Sequence, residues 1–150
     1  MEIIIAQIND LTQILDLQKL CYNENAIRYN DFKIAPLTQS INDLEKEFGD
    51  CVILKAVEQS KIVGSIRAFE KNRTCFIGRV IVHPDYQNKG IGKKLMSEIE
   101  LAFNNVNRFE LFTGFLDEKN LYFYNKLGYK QYNQVKINDD FSMIYLEKIN

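Results

Sequence analysis

The sequence predicts an α+β fold built on a mixed, mostly antiparallel sheet with one parallel pair of strands and helices packed against it. Three observations carry this expectation. Between residues 51 and 82, three apolar, β-branched runs are separated only by short polar turns, the pattern of an antiparallel meander. A long amphipathic stretch then separates the third run from a further strand at 108–114. Strand, helix, strand over this length makes a right-handed crossover, so those two strands run parallel. Two more strand-like runs close the chain around Asn138-Asp139-Asp140.

Taken in order, residues 2–8 read as a β-branched strand, and Asn9 or Asp10 caps a helix through Leu11, Ile14, Leu15, Leu17, Gln18 and Cys21. The segment 22–37 is aromatic and mixed in charge and reads as irregular. Thr38 is placed to cap a second helix carrying Ile41, Leu44 and Phe48, which Gly49 ends. The strands 51–58 and 62–69 form a hairpin through Gln59-Ser60-Lys61, and Lys71-Asn72-Arg73 turns the chain into 74–82. Pro84 ends that ladder and Gly90 frees the backbone. The helix beyond has Ile91, Leu95, Met96, Ile99, Ala102 and Phe103 on one face, with Lys93, Lys94, Glu98 and Glu100 mostly on the other. After the strand 108–114, Asp117 caps a short helix that runs through Tyr122–Leu127, closed by Gly128, and the strands 129–137 and 141–148 follow. No repeat, low-complexity tract or linker interrupts the chain, so residues 1–150 are expected to form one domain.

Composition narrows the function classes. The chain is 46% hydrophobic and 26% charged, a globular balance, and its 19 basic and 20 acidic residues leave a formal charge of −1. No basic excess suits a nucleic-acid surface, and no apolar run approaches the roughly 20 residues of a membrane span. The opening Met-Glu-Ile-Ile-Ile is too short and too acidic for a signal peptide, which makes the cytoplasm the default location. Cys21, Cys51 and Cys75 lack zinc-type spacing and sit among apolar neighbours. Buried structural thiols are the expected outcome, with a cysteine nucleophile served by His83, the only histidine, as the alternative. No metal enters the expected chemistry.

The most informative segment runs from Val80-Ile81-Val82 through His83-Pro84-Asp85-Tyr86 to Gln87-Asn88-Lys89-Gly90-Ile91-Gly92-Lys93. A strand empties through a turn into a helix whose first turn holds two glycines. Such a turn offers unpaired N–H groups and the positive end of the helix dipole, and glycines let a phosphate approach the backbone. Lys89 and Lys93 add positive charge. The spacing of an ATP-binding P-loop is absent, as is the third glycine of the dinucleotide fingerprint.

With Gln87, Gly90 and Gly92 this segment resembles the Gln/Arg-x-x-Gly-x-Gly/Ala signature of the GNAT family of N-acetyltransferases. A second stretch, Asn120-Leu-Tyr-Phe-Tyr124-Asn-Lys-Leu-Gly128-Tyr129, is similar to that family's Tyr-x-Lys-x-Gly-Phe/Tyr segment, and the element order fits across the whole chain. The resemblance implies a three-layer fold in which the fourth and fifth strands form the parallel pair and helices cover both faces. It implies acetyl-coenzyme A as co-substrate and a primary amine, on a small molecule or a protein, as acceptor. The backbone of Val80, Ile81 and Val82 would then pair with the pantetheine arm. The segment Gln87, Asn88, Lys89, Gly90, Ile91, Gly92 and Lys93 would hold the pyrophosphate, and Asn120 would lie beside the arm, a role for which Asp117 is the alternative register. Tyr124 would stand at the sulfur as general acid, since a phenol titrating near ~10 stays neutral beside a thiol titrating near ~8.5. A backbone N–H of the fourth strand would stabilise the oxyanion.

Two features depart from the family pattern. The strand positions at which many members carry a glutamate base hold Phe76 and Phe112, leaving Glu110 or a water chain for that role. Tyr124 also belongs to an aromatic cluster that would serve equally as core. The acceptor is expected between the first two helices and the last hairpin, where Tyr22, Glu24, Arg28, Tyr29 and Asp31 offer aromatic and acidic groups. Exposed strand edges at the carboxyl end leave a homodimer open. A non-catalytic acyl-coenzyme A-binding module is the competing functional class, and an unrelated nucleotide-binding domain is a third.

Overall fold

The computed structural model describes residues 1–150. The elements are β1 (Glu2–Ile5), α1 (Leu11–Tyr29), α2 (Ala35–Thr38), α3 (Ile41–Asp50), β2 (Val52–Glu58), β3 (Lys61–Lys71), β4 (Thr74–Val82), α4 (Ile91–Ala102), β5 (Arg108–Gly114), α5 (Glu118–Lys126), β6 (Lys130–Asn138) and β7 (Phe141–Ile149). The strands form one sheet in the order β1-β2-β3-β4-β5-β7-β6, antiparallel throughout except at β4–β5. Each face buries its own apolar cluster. Leu95, Met96 and Ile99 of α4 and Tyr124 of α5 pack with Val63, Ile66, Cys75, Ile77, Phe109 and Leu111 on one side. On the other, Leu11, Ile14, Leu15 and Leu17 of α1 and Leu44 of α3 pack with Ile53, Ile62 and Ile81. Helices therefore cover both faces, as expected.

The largest departure from the expected elements lies in 22–37. Nothing in 22–29 breaks a helix, and α1 runs on to Tyr29, burying Ala26, before Asn30 ends it in the left-handed conformation at φ 50°. The cap of α3 is Ser40 rather than Thr38. Its hydroxyl accepts the Asp43 N–H at 3.1 Å while the Asp43 carboxylate accepts the Ser40 N–H at 3.2 Å, a reciprocal box that Thr38, inside α2, cannot make. Gly49 lies within α3, which continues to Asp50. The strand β1 ends at Ile5, short of the expected residue 8, and α5 begins at Glu118 directly behind its Asp117 cap, as expected.

Two irregularities open the sheet. β4 and β5 pair at only three positions, Thr74↔Arg108, Cys75↔Phe109 and Phe76↔Glu110. Beyond them β4 stays with β3 and β5 with β7, so the strands diverge. β4 also carries a bulge: Gly78 faces Arg67 and Ile81 faces Ser65, which leaves one extra residue on β4, and Arg79 takes φ 51°.

The end of α1 is tied across this opening. Tyr29 packs edge-on to Phe141 at 4.9 Å and accepts the Leu116 N–H at 3.1 Å. Its ring lies so close to Gly114 that a Cβ there would fall on the phenol oxygen. Gly114→Ala is therefore expected to destabilise the fold by about 1–3 kcal/mol, the usual range for overpacking, read as a lower urea midpoint at unchanged slope. β6 forms an edge of the sheet and is exposed on both faces.

Candidate active site

A cleft of about 490 Å³ occupies the opening between β4 and β5 and extends to the start of α4. Its floor is Val80, Ile81 and Val82; one wall is Gln87, Asn88 and Gly90 to Lys93, another is α5 with Asn120, Phe123 and Tyr124. Of the residues singled out from the sequence as cofactor-binding or catalytic, all line this cleft except Lys89. That side chain instead lies over the Tyr86 ring at 5.2 Å, where the ring face attracts the ammonium.

The first turn of α4 holds the chemistry that a phosphate needs. Gly90 stands at φ 82° as N-cap, with no side chain capping the helix, and the first amide to find a partner is Lys94, donating to the Gly90 carbonyl at 3.1 Å. The N–H groups of Asn88 through Lys93 make no hydrogen bond within the chain. A Cβ on Gly90 would meet nothing within 4 Å, whereas one on Gly92 would press on Phe123 at 3.3 Å. Gly90 thus serves backbone conformation, and Gly92 the approach of α5 to α4. Gln87 does not plug this turn. Its side-chain amide donates to the Val82 carbonyl at 3.1 Å, and its oxygen accepts from Lys119 at 3.1 Å, which bridges the floor to α5.

Tyr124 is buried, its ring set against Phe123 at 5.2 Å and Tyr129 at 6.2 Å. The ring belongs to the core, and the residue also lines the cleft. Its hydroxyl has no hydrogen-bond partner in the chain. Burial, with smaller contributions from Tyr22 and Asp117, pushes its titration far above the ordinary phenol range, so it stands as a neutral donor. Asp117 caps α5 by accepting the Asn120 N–H at 3.3 Å and also takes the Asn120 side-chain amide at 2.8 Å. Asp117 is thus committed to capping α5 and orienting Asn120. His83 is largely covered and accepts the Asp85 N–H at Nδ1, stabilising the turn Pro84–Tyr86.

Three expectations are corrected. Glu110 does not reach the cleft; it accepts from Arg108 at 2.9 Å and from the Tyr132 hydroxyl at 2.6 Å. Its place on β5 lies where that strand still pairs with β4, before the two diverge. Of the residues expected around the acceptor, Tyr22, Glu24 and Arg28 line the cleft, whereas Tyr29 and Asp31 do not. Glu24 is spent on Arg28 one turn along at 3.5 Å, Asp31 is exposed and accepts the Lys33 N–H, and Tyr29 is pinned as described. Cys21 is not a buried structural thiol: half-exposed at the cleft, it donates to the Val82 carbonyl at 3.4 Å.

Cys21, Glu24, Asn25 and Arg28 together form the α1 wall of the cleft. Asn25 was not legible as a site residue because 22–37 read as irregular, and Cys21 read as the end of a helix rather than part of a longer face. Their spacing of i, i+3, i+4 and i+7 was the available signal, and it becomes one only once α1 is continued to Tyr29. Burial raises the Cys21 thiol to about 11. At pH 8 only about one part in a thousand is thiolate, so alkylation of Cys21 by iodoacetamide should be slow, accelerate toward pH 11, and be suppressed by coenzyme A. Peptide mass mapping that follows Cys21 separately from Cys51 and Cys75 checks this.

Comparison with known proteins agrees with the geometry. The acetyltransferase (GNAT) domain matches residues 49–131, more than half of the chain, and the protein belongs to the GNAT acetyltransferase family. An uncharacterized N-acetyltransferase, ycf52, of Gracilaria tenuistipitata var. liui is 28% identical over 125 residues, 81% of this chain; the match spans 64% of that relative's length. Among solved structures, smu.2055 from Streptococcus mutans UA159 superposes with a TM-score of 0.86 at 17% identity over 99% of both chains. The PaiA N-acetyltransferase from Thermoplasma acidophilum, in complex with coenzyme A, gives 0.78 at 22% identity over 100% of both. At these identities the structural likenesses speak for the fold alone. No helix of the chain is long and apolar enough to cross a membrane.

Proposed function

We propose that this protein is an N-acetyltransferase, a single domain that moves the acetyl group of acetyl-coenzyme A to a primary amine by direct attack in a ternary complex. The carrying observation is the unbroken run of unpaired amides from Asn88 to Lys93, opening onto the gap between β4 and β5 with Tyr124 in its wall. Six consecutive free N–H groups at the positive end of α4 suit a diphosphate, and Gly90 leaves the space open for it. Family membership and the likeness to a coenzyme A-bound structure support the same ligand. The co-substrate supplies an activated acyl carbon and a thiol leaving group; the chain supplies position, a hydrogen bond to the departing sulfur from Tyr124, and backbone N–H groups on β4 for the carbonyl oxygen. With its titration raised by burial, Tyr124 is a poorer proton source than the thiol it would protonate. Its contribution is then a strong hydrogen bond to the developing thiolate rather than complete proton transfer.

Thiol release from acetyl-coenzyme A across a panel of primary amines tests the reading. Amine-dependent release above the hydrolytic background supports it. Saturable coenzyme A binding with no turnover on any amine would select the alternative, a non-catalytic acyl-coenzyme A-binding module. One observation favours that alternative: neither β4 nor β5 presents a carboxylate base to the gap, since Phe76 stacks on Phe69, Phe112 packs on Tyr145, and Glu110 is engaged elsewhere. A water chain would have to carry the amine's proton.

A further inference from the structure

The bulge on β4 places a guanidinium that the acetyl-transfer reading leaves without a role. Arg79 is the extra residue, held at φ 51°, and it directly precedes Val80, the first floor residue of the cleft. Its guanidinium lies over the ring of Tyr22, an α1 residue of the cleft wall, at 5.8 Å. That puts the charge on the α1 face of the sheet, opposite the α4 turn proposed for the diphosphate.

No carboxylate is paired with Arg79. The neighbouring arginines each face a carboxylate. Arg67, buried on β3, lies 2.9 Å from Glu47 Oε2, an atom that is itself buried without a hydrogen bond, and donates to the side-chain oxygens of Gln18 and Gln39 at 3.0 Å each. Glu24 pairs with Arg28, and Arg28 also lies 3.9 Å from Asp117. The Arg79 Nε, in contrast, is buried with no hydrogen-bond partner, and the rest of the guanidinium meets the Tyr22 side chain rather than an anion. A donor withdrawn from water and left unbonded is costly, and a planar guanidinium presents a fork that matches a carboxylate. A bulge is the usual device for re-aiming a side chain beside a reaction site.

We propose that Arg79 receives a carboxylate of the acceptor, so that the substrate class is an amine carrying a carboxylate close to its amino group, such as an amino acid or a short peptide. The inference rests on the acetyltransferase reading and deepens it. With the carboxylate on Arg79, the amino group is held toward the gap between β4 and β5. There the new C–N bond forms as the C–S bond breaks, and the proton lost by the amine ends on the released thiol.

The test is an acetyl-transfer assay over the twenty amino acids and a set of dipeptides, each beside its C-terminal carboxamide, with wild type, Arg79→Met and Arg79→Lys. Wild type should favour the accepted acid over its carboxamide by roughly 10- to 100-fold in kcat/KM, the effect of losing one charge-assisted pair. Arg79→Met should raise KM for the acid by that factor, leave its carboxamide kinetics unchanged, and bind coenzyme A as wild type does. Arg79→Lys should fall between, since it keeps charge without the fork. Equal rates on acids and carboxamides, an equal loss on both in Arg79→Met, or turnover confined to amines without a carboxylate overturns the proposal while acetyl transfer stands. Coenzyme A that binds without any turnover on the panel also overturns it. Failure of coenzyme A to raise the melting temperature overturns the acetyltransferase reading itself, and this inference with it.

Discussion

Tyr124→Phe should lower kcat for acetyl transfer by roughly 100-fold while leaving the affinity for coenzyme A unchanged. General acid or hydrogen-bond assistance by a placed side chain accounts for about 10²- to 10⁴-fold, and the lower end applies to a group that donates without giving up its proton. The substitution is clean because the aromatic ring stays in its contacts with Phe123 and Tyr129, and the hydroxyl has no partner in the chain to leave orphaned. Stability should therefore change little, which a urea titration verifies. The raised titration of Tyr124 has a further consequence: the hydroxyl remains protonated throughout the neutral and mildly alkaline range, so the pH–rate profile of the variant should keep the wild-type shape at reduced height. A variant as fast as wild type removes Tyr124 from the chemistry and leaves it as core.

Gly92→Pro should weaken coenzyme A binding by roughly 10- to 150-fold, the equivalent of about 1.5–3 kcal/mol for one hydrogen bond to a charged group. Proline is tolerated in the first turn of a helix, where its missing N–H has no intrahelical role, so α4 is expected to form and only the amide to be lost. The added ring atoms also press on Phe123, and Gly92→Ala controls for that contact. Alanine brings the same Cβ, 3.3 Å from the Phe123 ring, but keeps the N–H. If amides grip the diphosphate, the proline variant loses far more affinity than the alanine variant in titration calorimetry. Equal losses would mean that Gly92 acts only in packing α4 against α5.

The site was legible in proportion to how local its determinants are. Gln87, Gly90 and Gly92, with a strand before and an amphipathic helix after, mark an open helix start from the sequence alone, because N-terminal amides are unpaired by the geometry of any helix. The bounds of β4 and β5 and their parallel pairing were equally readable, since β-branched runs and a helical crossover admit few alternatives. The segment 22–37 was misread because polar residues in an extended α1 are exposed on one side, and only the burial of Ala26 and the docking of Tyr29 on Gly114 hold that turn helical.

By itself the sequence determined the mixed sheet, the phosphate-suited turn at α4 and the aromatic helix bearing Tyr124, all consequences of short-range periodicity and backbone preference. Only the tertiary structure decided that β7 inserts between β5 and β6, that β4 and β5 part after Phe76 and Glu110, and that Glu110 is consumed by Arg108 and Tyr132. It alone decided too that Arg79 is left without an anion. Each of these depends on which distant groups meet, and whether a charge finds a partner or stays free for a substrate is set by packing between elements that the local pattern does not encode.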